Sequence, residues 1–175
     1  DGTLIEFDAM WGRLCVAWVE HLAPGTTGEG LAVDLYSALG YNAVEGKADP
    51  EGPLAIATTG QLQTIAAVTL YRSGLNWTAA EDSARRAFQA AAEIPLADLV
   101  RPAGQVRRLF AELQAAGVRV VVVTTDHRAE TESTLRILDV AHGVDHLVCG
   151  DDGIPAKPAP DMLLAACESM GLKPE

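Results

Sequence analysis

The stretch Val118-Arg119-Val120-Val121-Val122-Val123-Thr124-Thr125-Asp126 decides the fold. Its nearly unbroken β-branched run has no polar alternation, so it predicts a strand over 118–123 buried on both faces, the kind that a parallel sheet covered by helices requires. Upstream, Val106, Leu109, Phe110 and Leu113 recur at helical spacing and predict an amphipathic helix over 103–116, with Gly117 as its stop. Downstream the pattern gives a helix over 127–138, a short strand around 146–149, a loop rich in Gly, Asp and Pro, and a helix over about 158–170. Helix, strand, helix, strand, helix is the order of a doubly wound α/β domain.

The chain before Pro95 reads differently. Met10, Leu14, Val16, Ala17, Val19 and Leu22 follow a helical period from Asp8 to about Ala23, where Pro24-Gly25 stops it. A second helix is expected over about 28–39 and closed by Gly40, followed by an extended loop from Tyr41 to Pro53 with Gly46, Asp49-Pro50 and Gly52-Pro53. Thr58 or Thr59 then suits the N-cap of a helix ending near Ser73-Gly74, and Trp77 or Thr78 opens another that runs to about Ala92. Trp11, Trp18, Tyr71 and Trp77 are expected in the core of this helical block.

Composition narrows the partners. Hydrophobic residues make up 49% of the 175 residues and aromatics only 5%, so aliphatic side chains must fill the interior, as in helices packed on a sheet. The formal net charge of −11 argues against a nucleic-acid backbone or an anionic membrane as the main partner. A small anion remains compatible, because helix N-termini, a lysine or a metal act on it at a few ångströms. No apolar run approaches the roughly 20 residues of a membrane span. Cys15, Cys149 and Cys167 are odd in number and lack metal-ligand spacing, which fits a reducing, cytoplasmic compartment.

In open α/β sheets the ligand lies beyond the carboxyl ends of the strands. Thr124 ends the Val-rich strand there, although a hydroxyl in that place also suits capping of the next helix. Lys157 stands in Gly153-Ile154-Pro155-Ala156-Lys157-Pro158-Ala159-Pro160-Asp161, where the following proline restricts the backbone and hence the direction of the ammonium. Pro160 and Asp161 suit the first turn of the last helix. The chain opens on Asp1-Gly2-Thr3-Leu4. Taken in order, these three segments resemble the first three motifs of haloacid-dehalogenase-like (HAD) hydrolases, and the likeness extends over the whole chain, toward the phosphoglycolate-phosphatase-like branch.

The resemblance implies an α/β, Rossmann-like core built from residues 1–7 and 96–175, with an all-helical cap domain inserted at 8–95. It implies a Mg²⁺-dependent phosphatase acting on a small phosphorylated metabolite through an aspartyl-phosphate intermediate. Asp1 would be the general acid and base and would lend its carbonyl to Mg²⁺, Thr124 would hydrogen-bond a phosphoryl oxygen, and Lys157 would neutralise the crowded negative charge. Gly2, Thr125 and Trp11 would contact the substrate. An aspartate at position 1 favours phosphoester chemistry over the carbon–halogen cleavage carried out by relatives of the same fold.

The family places its nucleophile two residues before Asp1 and a fourth, acidic motif after a further strand, so the 175 residues alone are expected to be inactive. Phosphoryl transfer of the sugar-phosphate mutase kind, or a non-catalytic binding module, are the alternatives. Asp151 and Asp152 resemble the Gly-Asp-Asp turn that precedes the lysine, rather than the metal-binding motif. Asp126 is expected to cap the helix that follows it, with His127 and Arg128 solvated. His21, His142 and His146 carry no spacing signal.

Overall fold

The computed structural model describes residues 2–24, 30–155 and 157–173. The chain divides into two compact units, Asp1–Leu99 and Val100–Glu175.

In the first unit Gly2 takes a left-handed φ of 71° and donates its N–H to the Ile5 carbonyl at 2.9 Å, which closes a turn. A π-helical turn, Asp8–Gly12, runs directly into α1 (Arg13–Leu22). Gly12 is buried against Tyr41, and a Cβ there would lie 2.9 Å from the Tyr41 hydroxyl. Helix α2 (Leu31–Leu39) ends on Gly40, whose φ of 72° lets its N–H return to the carbonyls of Tyr36 and Ser37.

The stretch read as an extended loop contains a small antiparallel hairpin, β1 (Tyr41–Asn42) with β2 (Lys47–Ala48), and a single helical turn, α3 (Pro53–Ile56). The hairpin forms because the Asn42 side chain accepts the N–H groups of Val44 and Glu45, and Gly46 at φ 67° returns its own N–H to the Asn42 carbonyl. Helix α4 (Thr59–Arg72) starts at a capping box in which Thr58 and Gln61 satisfy each other's backbone N–H groups. Helix α5 (Trp77–Ala91) is capped by Asn76, which accepts from the Ala79 N–H at 3.0 Å, and α6 (Leu96–Leu99) is a further short turn.

Helices α1, α2, α4 and α5 pack around Trp18, Leu35, Leu39, Leu62 and Leu70, each fully buried. Ala66, Ala67, Ala80, Ala84 and Ala91 line the same core, and their small size lets the helices approach closely. The Trp18 indole donates to the Ala84 carbonyl at 3.0 Å and meets Phe88 edge-on at 5.2 Å, so its one polar atom is satisfied inside the core. Burial pushes the Cys15 thiol up to about 12. Tyr71 and Trp77 depart from expectation: they pair edge-to-face at 6.2 Å but are 56% and 41% exposed.

In the second unit α7 (Val106–Ala115) buries Val106 and Phe110. Leu109, expected on the same face, is 50% exposed, since it sits about 100° around the helix from Phe110 and the buried stripe is narrow. Strand β3 (Val121–Val123) pairs in parallel with β4 (His146–Val148), in the register Val121 to His146, Val122 to Leu147 and Val123 to Val148.

The strand is therefore shorter than the valine run. Val118 is used by the end of α7: Gly117 donates to the Gln114 carbonyl and Val118 to the Leu113 carbonyl, the closure that a left-handed glycine permits. Val120 exchanges hydrogen bonds with Asp145, giving its N–H to the carboxylate and accepting the Asp145 N–H. The three residues of β3 are half-buried, where burial on both faces was expected. Helix α9 (Asp161–Ser169) sets Met162 and Ala166 against Val148, with Val121 and Val123 packed on that cluster. Helix α8 (Arg128–Ile137) joins the two strands through a 3₁₀ turn, Ala141–Gly143.

Candidate active site at the carboxyl edge of the strands

Past Val123 the ladder continues for one more bond, from the Thr124 N–H to the Val148 carbonyl at 2.9 Å. This bond fixes Thr124 at the carboxyl end of β3. Its hydroxyl donates to Asp126 Oδ2 at 2.8 Å and accepts the Asp126 N–H at 3.1 Å. Lys157, 34 residues beyond Val123, donates from Nζ to the Val123 carbonyl at 3.3 Å. The Lys157 ammonium thus lies on the carbonyl of the residue before Thr124, at the carboxyl end of one parallel strand, although nothing in their sequence separation brings the two segments together. Thr125 follows Thr124 and is exposed.

The loop after β4 holds this turn in place. Gly150 donates its N–H to the Asp126 carbonyl at 2.9 Å, and a Cβ on Gly150 would lie 2.1 Å from the Thr125 carbonyl oxygen. Only a residue without a side chain allows that approach. Asp151 Oδ1 accepts the Arg128 N–H at 2.9 Å, while the Asp152 carboxylate accepts the Arg128 guanidinium at 2.8 Å on each oxygen and the Cys149 N–H at 2.9 Å. The Arg128 guanidinium also reaches the Leu147 carbonyl at 3.2 Å.

The electrostatics follow from these contacts. The Arg128 guanidinium, helped by the Cys149 N–H, holds the Asp152 carboxyl below the usual carboxylate range, and Asp152 in turn raises Arg128. Burial pushes the Cys149 thiol up, against the opposing pull of Arg128.

Several expectations change here. Helix α8 receives its side-chain cap from Asp151, in a remote loop, because the Asp126 carboxylate is turned back onto Thr124. Arg128, although open to solvent, is paired: it ties the start of α8 to the loop after β4. The Gly-Asp-Asp turn was read from sequence, but neither the close approach of Gly150 to Thr125 nor the pairing of Arg128 with Asp152 was; of these only the glycine near the strand end carries a local signal.

Asp1 lies outside the described residues. Gly2 and Trp11 belong to the first unit, where Trp11 is half-buried in the π-helical turn and stacks on Phe7 at 6.3 Å. The described acids do not form a Mg²⁺ site. Asp126 is held by Thr124 and Asp151 and Asp152 by Arg128, and no group of three His, Cys, Asp or Glu side chains among the described residues is placed to hold a metal ion. A shallow groove of about 380 Å³ follows α8 and β4, lined by Arg128, Glu132, Arg136 and His146 among others. It includes neither Thr124 nor Lys157, and its arginines are paired with Asp152 and Glu132.

Over residues 1–175 the sequence matches the family model of haloacid dehalogenase-like hydrolases. The chain belongs to this family. No curated protein matches it. Among solved structures the HAD-like chain resembles a protein described as a β-phosphoglucomutase from Thermotoga maritima, at 17% identity and a TM-score of 0.62, covering 100% of this chain and 69% of that one. A predicted phosphoglycolate phosphatase from Haemophilus somnus gives 17% identity and a TM-score of 0.62 over 98% of this chain and 69% of its own. A haloacid dehalogenase-like hydrolase from Bacteroides fragilis gives 20% and 0.59 over 100% and 71%. At these identities the likeness is one of fold, an α/β HAD core with a helical cap. No helix among the described residues is long and apolar enough to cross a membrane.

Proposed function

We propose that this HAD-like hydrolase is a phosphomonoesterase acting on a small phosphorylated metabolite, with residues 8–95 as its cap and residues 1–7 and 96–175 as its core. One observation carries the reading: the Lys157 ammonium rests on the carbonyl of Val123, the residue before Thr124, which puts a positive charge at the carboxyl end of the strand that Thr124 closes. That is where a phosphoryl group would meet its charge partner and a hydrogen-bond donor in this fold.

In this reading Thr124 orients a non-bridging phosphoryl oxygen, and Lys157 stabilises the charge that crowds the group as its ester bond breaks. Gly2, Thr125 and Trp11 contact the substrate. Asp1 gives a proton to the leaving alkoxide and later takes one from water, and the acceptor of the phosphoryl group is the aspartate that the family carries two residues earlier. Mg²⁺, the cofactor that the family implies, supplies Lewis-acid neutralisation when bound, with the Asp1 carbonyl among its ligands. The free cysteines, two of them buried, support a reducing, cytoplasmic setting.

The test uses residues 1–175 joined to a first-motif nucleophile strand and a fourth-motif acidic segment. Lys157→Ala should lower Mg²⁺-dependent hydrolysis of small phosphomonoesters about 10²- to 10³-fold, and Asp1→Asn roughly 10²- to 10⁴-fold. Unchanged turnover in either variant removes that residue's role. The β-phosphoglucomutase neighbour supports a second reading, phosphoryl transfer to an acceptor hydroxyl. Release of inorganic phosphate from a sugar phosphate separates it from hydrolysis.

A further inference from the structure

The Thr124 hydroxyl has a single hydrogen to donate, and in this structure it goes to Asp126 Oδ2 at 2.8 Å. An ionised carboxylate only accepts, so the direction of the bond is fixed. A phosphoryl oxygen bound by Thr124 would need the same hydrogen. The second contact between these residues, from the Asp126 N–H to Thr124 Oγ1, uses a lone pair and leaves the competition for the hydrogen unchanged.

The Asp126 carboxylate neither caps α8 nor links the turn to the neighbouring loop. Asp151 caps α8 through the Arg128 N–H, and the link to the neighbouring loop runs through the Asp126 backbone carbonyl to Gly150. The carboxylate is half-buried beside the hydroxyl and presents negative charge where an anion would enter.

We propose that Asp126 is an affinity-setting residue of this site, an internal carboxylate that occupies the Thr124 hydroxyl and must be displaced before an anionic oxygen takes its place. The inference rests on the reading of Thr124 and Lys157 as a phosphoryl site. Asp126 then lowers the affinity of the site for an anion, by competing for the Thr124 hydrogen and by like charge.

The experiment titrates inorganic phosphate into the 175-residue chain and follows the ¹H–¹⁵N signals of Thr124 and Thr125. Asp126→Ala, which frees the hydroxyl, should bind phosphate about tenfold more tightly than the unsubstituted chain. Asp126→Asn, which keeps the shape and removes the charge, should move in the same direction. Affinity equal to or weaker than that of the unsubstituted chain in both variants overturns the proposal, as does absence of any phosphate-dependent shift at Thr124 in all three proteins. Thr124→Val and Lys157→Ala keep the two readings apart. If both lose phosphate while the Asp126 variants gain nothing, the site stands and the role of Asp126 falls; if neither loses phosphate, the phosphoryl site itself is wrong and the proposal falls with it.

Discussion

The helical unit and the α/β unit hold their shape by different means. In the first, Trp18, Leu35, Leu39, Leu62 and Leu70 are sealed in one interior, and the alanines on α4 and α5 bring the helices together around them. In the second, β3 is half-buried, and the segments nearest the candidate site are joined by polar contacts: Gly150 to Asp126, Asp151 and Asp152 to Arg128, Lys157 to Val123. Apolar burial is non-directional and tolerates small displacements, whereas hydrogen bonds fix directions. The turn that carries Thr124 and the contact of Lys157 with Val123 rest on the second kind of support.

Breaking the first unit should have the largest effect on stability. Trp18→Ala removes the largest buried side chain of that unit and leaves the Ala84 carbonyl without its indole donor. A loss of about 3–5 kcal/mol is expected, measured by urea unfolding followed by far-UV circular dichroism. A loss below 1 kcal/mol would mean that the helical unit does not rest on this core.

The contrast sharpens at Gly150. A single added methyl, harmless on a surface loop, must here displace the Thr125 carbonyl, and it should cost about 1–3 kcal/mol. The damage should be local: the amide signals of Thr124 to Asp126 should shift and the Asp126 carbonyl should lose its donor, while the tryptophan fluorescence, all of it from Trp11, Trp18 and Trp77 in the first unit, stays as it was. Unshifted Thr124 to Asp126 signals would show that the loop after β4 does not position the turn.

The smallest effect is expected from the Arg128–Asp152 pair, which is open to solvent and screened. The Asp152 carboxyl is held below its ordinary 3.8 in the folded chain. A depressed carboxylate stabilises the fold above its unfolded value, and that contribution is lost as the pH falls through the folded value. Stability should therefore decline with acidification below pH 3.8, and Asp152→Asn should flatten that part of the profile. An identical acid limb in the variant would show that the pair contributes nothing measurable.

The sequence by itself determined the order of the long helices and of the two parallel strands, the helical block before Pro95, the parallel pairing after Gly117 and the family, but not the hairpin and short turns within that block. Each rests on local chemistry: apolar spacing at 3.6, a β-branched run, glycines and prolines at the ends, and motif residues in a fixed order. The cap at Thr58 was legible as one of two candidates, while its reciprocal partner Gln61 was overlooked although it lies within the same turn. Asn76 was overlooked for the neighbouring Trp77 and Thr78, though its signal is equally local.

What only the tertiary structure decided are the partners that lie far apart in the chain. Periodicity says how many valines favour a strand, but Val118 closes α7, and the length of the ladder was set by what β4 offers opposite. Likewise Asp126 has the composition of a helix cap, yet its carboxylate lies on Thr124 and the capping passes to Asp151, 23 residues beyond the N–H it accepts. The proximity of Lys157 to Val123 comes from the turn between β4 and α9, and a residue's own sequence neighbourhood holds no record of which distant backbone will stand a hydrogen bond away.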